Sequence, residues 1–206
     1  MVLDAVLSAD QLEVIGFLDD DQEKWGSEVL GFPVLGPIEN LEAIAREKDA
    51  AGCTIAIGDN YIRESLFRTI CGKGIEVFGV AHPASCVSRF AELGKGVVIL
   101  AGAVVNAGTT IDDNVCINTR ASIDHDNHLS YSCHVFPNAT LAGNVTVGEF
   151  SYVGSGAVII PGKKVGRFAY CGAGAVIVED VAEGTKVVGV PAKTIGSQTA
   201  RPLPVK

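Results

Sequence analysis

An aliphatic residue recurs at every sixth position through the middle and later part of the chain, and no other feature limits the possible folds so strongly. Of the fifteen positions spaced by six from residue 93 to residue 177, fourteen hold Leu, Ile or Val and one holds Cys. The positions are Leu93, Ile99, Val105, Ile111, Ile117, Ile123, Leu129, Val135, Leu141, Val147, Val153, Ile159, Val165, Cys171 and Ile177. A period of six fits neither the helical turn nor the alternation of a simple strand. It indicates short strands separated by sharp turns and stacked on one another.

Small residues accompany this repeat, because the position two residues before each aliphatic one is mostly Ala, Ser, Thr or Cys. One aliphatic side chain per side can then point inward while small residues fit the corners. Three sides make a coil, so fifteen hexads predict about five coils of a left-handed parallel β-helix. No hexad is interrupted between Leu93 and Ile177, so we expect ligand binding to involve the amino-terminal region and neighbouring subunits. A prism with three flat faces commonly associates about a threefold axis, which predicts a homotrimer.

The first 86 residues alternate strand and helix signals instead. The segments VIGFLDDD, TIAIGDN and IEVFGVAHPAS predict strands, and LEAIAREKDAAG (ending at Gly52) and YIRESLFRTICGKG predict helices. This alternation is typical of a small parallel α/β domain. We therefore expect a Rossmann-like domain over residues 1–86, the β-helix domain over 87–195 and a tail over 196–206. The opening VLDAVLSAD already predicts a helix, so the pattern lacks the first strand and glycine-rich turn of a nucleotide-binding α/β domain.

Composition narrows the class of partner. The formal net charge of −8 and the pI near 4.9 argue against non-specific binding to nucleic acid or to an anionic membrane. No apolar run approaches the ~20 residues of a membrane span. The first fifteen residues contain Asp4 and Asp10 and no basic stretch, so no signal peptide is evident. Six cysteines without a CxxC pair then favour buried, reduced thiols in a cytoplasmic protein.

Three of the four histidines, His125, His128 and His134, lie in the segment DHDNHLSYSCH. Such a cluster suggests either a metal site or a general base. Carbonic anhydrases of the same β-helix class bind zinc through three histidines, but in a different spacing, and the remaining His82 precedes the repeat. We therefore expect no metal in this protein.

The general-base interpretation rests on His125, because Asp124 and Asp126 flank it. A neighbouring carboxylate can orient an imidazole and favour its protonated form, so that it takes a proton from an attacking amine or hydroxyl. His128 is more typical of a solvated turn. Gly143, in LAGN, offers an N–H that could hold a developing oxyanion, although glycine at a coil corner can equally serve the turn.

Several longer motifs together resemble a known family. They are INTRASIDHD, FPNATLAGNVTVGEFSYVGSGAVIIPG and VVGVPAK in the repeat, and GFLDDD and AIGDN before it. The chain resembles, over nearly its whole length, the bacterial sialic-acid-type sugar O-acetyltransferases. It is equally similar to the sugar-nucleotide N-acetyltransferases that acetylate a UDP-linked 4-amino-4,6-dideoxy sugar.

This resemblance implies direct transfer from acetyl-CoA in a ternary complex, at active sites between the subunits of a homotrimer. By resemblance, His125 is the general base, Asp126 raises its basicity, and Asn118 lies near the acceptor amine. The residues implied to contact acetyl-CoA are His134, Gly143 (through its N–H on the thioester carbonyl), Ser155 and Ala173. Those implied to contact the sugar nucleotide are Asp19, Asp20, Gly58, Asp59 and Asn60.

The basic residues available for the CoA phosphates are Lys163, Lys164, Arg167 and Lys193. The favoured function is N-acetylation of a nucleotide-linked, UDP-type amino sugar. The alternatives are O-acetylation of sialic acid or a related sugar, a zinc carbonic anhydrase, and a non-catalytic scaffold trimer.

Overall fold

The computed structural model describes residues 1–10 and 12–198. They form an amino-terminal α/β region followed by a parallel β-helix, as the sequence predicts. The helices are α1 (Val2–Ala9), α2 (Leu41–Glu47) and α3 (Asn60–Gly72), with 3₁₀ turns at Gln22–Lys24 and Ile38–Asn40. An antiparallel pair joins Glu28–Val29 to Phe32–Pro33, and a parallel pair joins Gly52–Cys53 to Glu76–Val77.

The elements of the α/β region are shorter than the sequence predicts. VIGFLDDD contributes a single parallel bridge, from Phe17 to Val34. TIAIGDN (residues 54–60) contains no strand, because the parallel pair with Glu76–Val77 is formed by Gly52–Cys53, the two residues directly before this segment. Helix α2 ends at Glu47 rather than at Gly52, since Asp49 has a φ of 53° and a left-handed residue stops a helix.

Three parallel sheets make the faces of the prism. The covered face, against which the α/β region packs, contains Val80–Ala81, Val98–Ile99, Cys116–Ile117, His134–Val135, Tyr152–Val153, Tyr170–Cys171, Thr185–Val188 and the antiparallel Lys193–Ser197. The uncharged face contains Cys86–Val87, Val104–Val105, Ser122–Ile123, Thr140–Leu141, Val158–Ile159 and Val176–Ile177. The charged face contains Glu92–Leu93, Thr110–Ile111, His128–Leu129, Thr146–Val147 and Lys164–Val165.

The β-helix begins earlier than its aliphatic repeat. Pairing starts at Val80, which lies beside Val98, and keeps a spacing of 18 residues as far as Ile177. The last coil has a spacing of 16, where Tyr170 pairs with Lys186, and the whole gives about six coils rather than the expected five. The period of six does extend back to Val87 and Ala81. Alanine is too small to mark an aliphatic position, and Ala81 is exposed, so the sequence pattern hides the first strands.

From Ile99 to Ile177 the second residue of each two-residue strand is buried inside the prism, and Ile117, Ile123, Leu129 and Leu141 are fully buried there. Each such side chain contributes roughly 1.5–3 kcal/mol of burial free energy. The corners follow the same period, because the residues at every sixth position from 96 to 174 all have a φ near 60–70°. Most of these corner residues are Gly or Asn, which tolerate this conformation best. Asp126 is one of the exceptions.

Two further sequence expectations can be compared with the described residues. No helix in residues 1–10 and 12–198 is long and apolar enough to cross a membrane. All six cysteines lie within these ranges as free thiols, but the expectation that they are buried is wrong for Cys71 and Cys86. Cys86 takes the outward position of its strand and Cys71 lies near the end of α3, so both are exposed.

Candidate active site

His125 lies on the edge between the uncharged and charged faces, which we call the His125 edge (residues 124–127 and their equivalents in other coils). Its Nδ1 is 2.8 Å from Oδ2 of Asp126, and its backbone N–H donates to Oδ1 of Asp124 over 2.8 Å. Nδ2 of Asn106, one coil earlier, donates to Oδ1 of Asp124 over 3.1 Å. A carboxylate only accepts hydrogen bonds, so Nδ1 carries the ring proton and Nε2 presents a lone pair.

The environment of His125 favours its protonated form. The hydrogen bond to Asp126 and then the charge of Asp124 raise the pKa of His125 above its usual 6.5. The side chain is 60% exposed, so a substrate can reach Nε2. The arrangement therefore supplies an accessible base whose imidazolium form has a counter-charge beside it.

Gly143 lies one coil after His125 on the same edge, beneath the imidazole ring. A Cβ built on Gly143 would lie 2.5 Å from Cε1 and 2.6 Å from Nε2 of His125. The corner conformation belongs to the next residue, Asn144, which has a φ of 58°. Glycine at 143 is therefore not needed for the left-handed corner, and a side chain there would meet the ring of His125. The use of the Gly143 N–H for an oxyanion stays a prediction.

His134 and Asn118 lie on the covered face, where the α/β region meets the β-helix. Nδ1 of His134 is 3.3 Å from the carbonyl oxygen of Gly58, and its Nε2 is 3.4 Å from Nδ2 of Asn118. The ring stacks on Phe136 at a centroid distance of 4.2 Å. Burial, and then the charge of Arg63, lower the pKa of His134 to about 4, so this histidine is neutral at pH 7. The structure thus brings together three predicted site residues whose positions span 76 residues.

Ser155 and Ala173 occupy equivalent positions in successive coils, on the edge between the covered and uncharged faces. We call this edge the Ser155 edge. Both residues are exposed, and the corner glycines after them, Gly156 and Gly174, face open space. The edge therefore carries no large side chain at these four positions. It is separated from the His125 edge of the same chain by the full width of the uncharged face.

The acidic turn of the α/β region is held by internal contacts. Asp19 accepts hydrogen bonds from Nζ of Lys24 over 2.8 Å and from the backbone N–H of Asp21 over 2.9 Å. The contact with Lys24 is the main cause that lowers the pKa of Asp19. Asp20 accepts from the N–H of Ile38 over 2.9 Å.

Three of the residues implied to bind the sugar nucleotide lie in the turn before α3, and their environments differ. Asp59 caps α3 by accepting from the N–H groups of Tyr61 and Ile62. Asn60 is fully buried, and its Nδ2 donates to the carbonyl oxygens of Phe150 and Ser151 over 3.2 and 3.3 Å. The side chain of Asn60 is thus engaged within the protein, and its contact with the sugar nucleotide stays a prediction. Gly58 is exposed and faces open space.

Arg63 and Glu64 are buried where α3 meets the β-helix, and no sequence pattern marks them as site residues. Nε of Arg63 donates to the carbonyl oxygen of Asn114 over 3.2 Å. Glu64 accepts from Nη2 of Arg68 over 2.8 Å and from Oγ of Ser132 over 3.3 Å. Charged residues within a helix usually face solvent, and only the docking of α3 shows that these two do not.

The other candidates are dispersed. His128 lies on the charged face with Nε2 3.2 Å from Asp112, away from His134 on the covered face. Within residues 1–10 and 12–198, no three His, Cys, Asp or Glu residues are grouped to hold a metal ion. Of the basic residues, Arg167 pairs with Glu149 over 2.9 Å, whereas Lys164 and Lys193 are exposed.

Comparison with known proteins agrees with this fold. Residues 1–70 match the family described as the PglD N-terminal domain. GDP-perosamine N-acetyltransferase from Escherichia coli O157:H7 is 30% identical over 137 residues, which are 66% of this chain and 61% of that protein. The match therefore spans about three fifths of the length of this curated relative.

Solved structures match over more of their length. PerB from Caulobacter crescentus, in complex with CoA and GDP-perosamine, is 37% identical with a TM-score of 0.88, covering 95% of this chain and 91% of that one. The acetyltransferase domain of PglB from Neisseria gonorrhoeae FA1090, in complex with acetyl coenzyme A, is 38% identical with a TM-score of 0.89, covering 94% and 92%. The fold and the site define an acyltransferase of the hexapeptide-repeat class. The chain belongs to the left-handed β-helix sugar acetyltransferases with a PglD-type amino-terminal domain.

Proposed function

We propose that this protein transfers the acetyl group of acetyl-CoA to the amino group of a nucleotide-linked 4-amino-4,6-dideoxy sugar, with His125 as general base. The observation that carries the proposal is the geometry of His125. Its Nδ1 is held by Asp126, its Nε2 is exposed, and the backbone of Gly143 lies directly beneath the ring. The relatives named above are N-acetyltransferases of GDP-perosamine or were solved with CoA ligands.

The proposed reaction is a direct transfer. The amine of the sugar attacks the thioester carbonyl while Nε2 of His125 takes a proton from the amine. The tetrahedral oxyanion is held by the N–H of Gly143, which has no acceptor among the described residues. The C–S bond then breaks, and the proton on His125 passes to the departing thiolate. Asp126 stabilises the imidazolium that forms between these steps.

For the acceptor nucleotide we propose GDP in place of the UDP that the motifs suggested. The relatives from E. coli and C. crescentus are named for GDP-perosamine, whose sugar is itself a 4-amino-4,6-dideoxy hexose. These names do not favour the O-acetyltransferase alternative. We call residues 57–60, directly before and at the start of α3, the acceptor turn. Its exposed Gly58 faces open space beside the buried His134 and is the part of this turn best placed to receive the nucleotide sugar.

We further propose that the site is completed between two copies of the chain in a homotrimer. His125 and Gly143 lie on one edge of the prism, and Ser155 and Ala173 lie on another. One acetyl-CoA cannot follow both edges of one chain, because the uncharged face separates them. If the uncharged faces surround a threefold axis, the His125 edge of one copy meets the Ser155 edge of the next.

The residues of the uncharged face support this packing. The outward positions of its strands are Cys86, Val104, Ser122, Thr140, Val158 and Val176, none of which is charged. The same positions on the charged face include Glu92, His128 and Lys164. Burial of a face without charges avoids the desolvation cost that charged groups would add. The remaining face is already covered by the α/β region.

The test is a panel of GDP-, UDP- and dTDP-linked amino sugars incubated with acetyl-CoA, with thiol release and acetylated product measured for the wild type and His125→Ala. We expect turnover with the GDP-linked amino sugar and a fall in kcat of about 10²- to 10⁴-fold for His125→Ala, with little change in the KM of acetyl-CoA. Near-normal turnover by that variant would remove His125 as the base.

A further inference from the structure

Arg63 is a buried cation that the proposed chemistry does not use. Its side chain is 2% exposed, and its guanidinium joins two parts of the molecule. In the turn of residues 57–60 it donates to the carbonyl oxygen of Ile57 over 3.2 Å and to Oδ1 of Asn60 over 2.7 Å. On the β-helix it donates to the carbonyl oxygens of Asn114 and Ser132 over 3.2 and 3.1 Å. The turn is therefore anchored to two coils by one side chain.

The carbonyl group of Gly58 lies in the turn between Ile57 and Asn60 and faces Nδ1 of His134. The N–H of Thr119 donates to Oδ1 of Asn118 over 2.8 Å, which identifies Nδ2 as the nitrogen facing Nε2 of His134. Nε2 must then be the acceptor, so the ring proton lies on Nδ1 and points to the oxygen of Gly58. These three hydrogen bonds can form together only when neutral His134 carries its proton on Nδ1.

We propose that Arg63 is a positioning residue that fixes the 57–60 turn so that Gly58 selects the tautomer of His134 whose Nε2 accepts a hydrogen bond from the amide of Asn118. The inference rests on the proposed function and on the place beside the acceptor amine that the family resemblance implies for Asn118. Asn118 is 7% exposed, so its amide has little freedom to find another orientation. Arg63 thus links the acceptor turn of the α/β region to the transfer site on the β-helix.

A purely structural role for Arg63 is the alternative, and Arg68 supplies the matched control. Arg68 lies five residues further along α3, and its removal also leaves a buried group, Glu64, without its guanidinium partner. Arg68 makes no contact with the 57–60 turn among the described residues. Arg63→Met and Arg68→Met should therefore both destabilise the protein, but only the first should change His134.

The first experiment observes the histidines directly. The chain has four histidines, so ¹⁵N labelling of histidine and a His134→Gln spectrum identify the His134 signals. In the wild type and in Arg68→Met we expect a protonated Nδ1 and an unprotonated Nε2. In Arg63→Met we expect the two nitrogens of His134 to approach each other in chemical shift as the tautomers mix. An unchanged His134 spectrum in folded Arg63→Met would overturn the proposal.

The second experiment measures transfer to the GDP-linked amino sugar. We expect kcat/KM for the sugar nucleotide to fall about 10- to 100-fold in Arg63→Met, as for a lost charged hydrogen bond. In Arg68→Met it should stay within about threefold of the wild type, because Arg68 contacts neither the 57–60 turn nor His134 among the described residues. Equal losses in both variants would overturn the positioning role. If Arg63→Met does not fold, Arg63→Lys keeps the charge with fewer donors, and the same spectra and rates apply. If the wild type itself transfers no acetyl group, the proposed function fails, whereas the His134 spectra still test the link from Arg63.

Discussion

Replacing Gly143 with alanine would test whether the ring of His125 must lie where the structure has it. The added Cβ would approach Cε1 of His125 to 2.5 Å, whereas ordinary contact begins at 3.4 Å. The ring must therefore retreat by about 0.9 Å, away from the N–H of Gly143 and out of line with Asp126. A displacement of this size in a reacting group costs about 10²-fold in rate. The φ of Gly143 lies outside the left-handed region, so alanine should not strain the backbone.

The assay is acetyl-CoA-dependent thiol release with the GDP-linked amino sugar, together with the melting temperature of each variant. We expect kcat of Gly143→Ala to fall about 10²-fold, with a melting temperature close to that of the wild type. The decisive control is the same substitution in His125→Ala, where no ring remains to be displaced. The extra loss there should be under about threefold, since two changes that act through one group are not additive. A further 10²-fold loss in that background would refute the argument and place the effect on the N–H of Gly143 itself.

Two other substitutions test the base and the assembly. Asp126→Asn removes the carboxylate that raises the pKa of His125. The acidic limb of the pH profile of kcat/KM should therefore move to lower pH, and kcat should fall. A limb that stays in place would contradict this. Asparagine suits the left-handed corner, so the fold should persist. Val158→Lys places a charge on the uncharged face, and light scattering should then detect monomers. Thr146→Lys, on the charged face, should leave the trimer intact. Trimers in both variants would exclude the proposed interface.

The fold could be predicted because the β-helix records its geometry in every hexad. Ile117, Ile123 and Leu129 each point inward from a different face, so a single local rule, repeated, determines the core. The α/β region has no such repetition. Its strands are two residues long and depend on neighbours distant in sequence, such as Gly52 and Glu76, and a propensity argument therefore overestimated their length.

In the candidate site, contacts between residues adjacent in sequence could be predicted, and contacts between distant residues could not. His125 and Asp126 are adjacent in sequence, so their contact could be expected from the motif alone. The contact of His134 with Gly58 spans 76 residues and depends on how α3 docks, which no periodicity encodes. For the same reason the sequence could not show that the side chain of Asn60 joins α3 to the coils.

The way α3 docks also determines which parts of the proposed trimer belong to one chain. Arg63 and Asn60 fix the acceptor turn against the covered face of the same chain, next to His134. That face adjoins the Ser155 edge, so one copy would present both the acceptor turn and the edge proposed to bind acetyl-CoA. His125 lies on the far edge of the uncharged face, and the base would therefore come from the neighbouring copy. On this argument a mixed trimer of His125→Ala and Arg63→Met chains regains activity at those interfaces where each copy contributes its intact half.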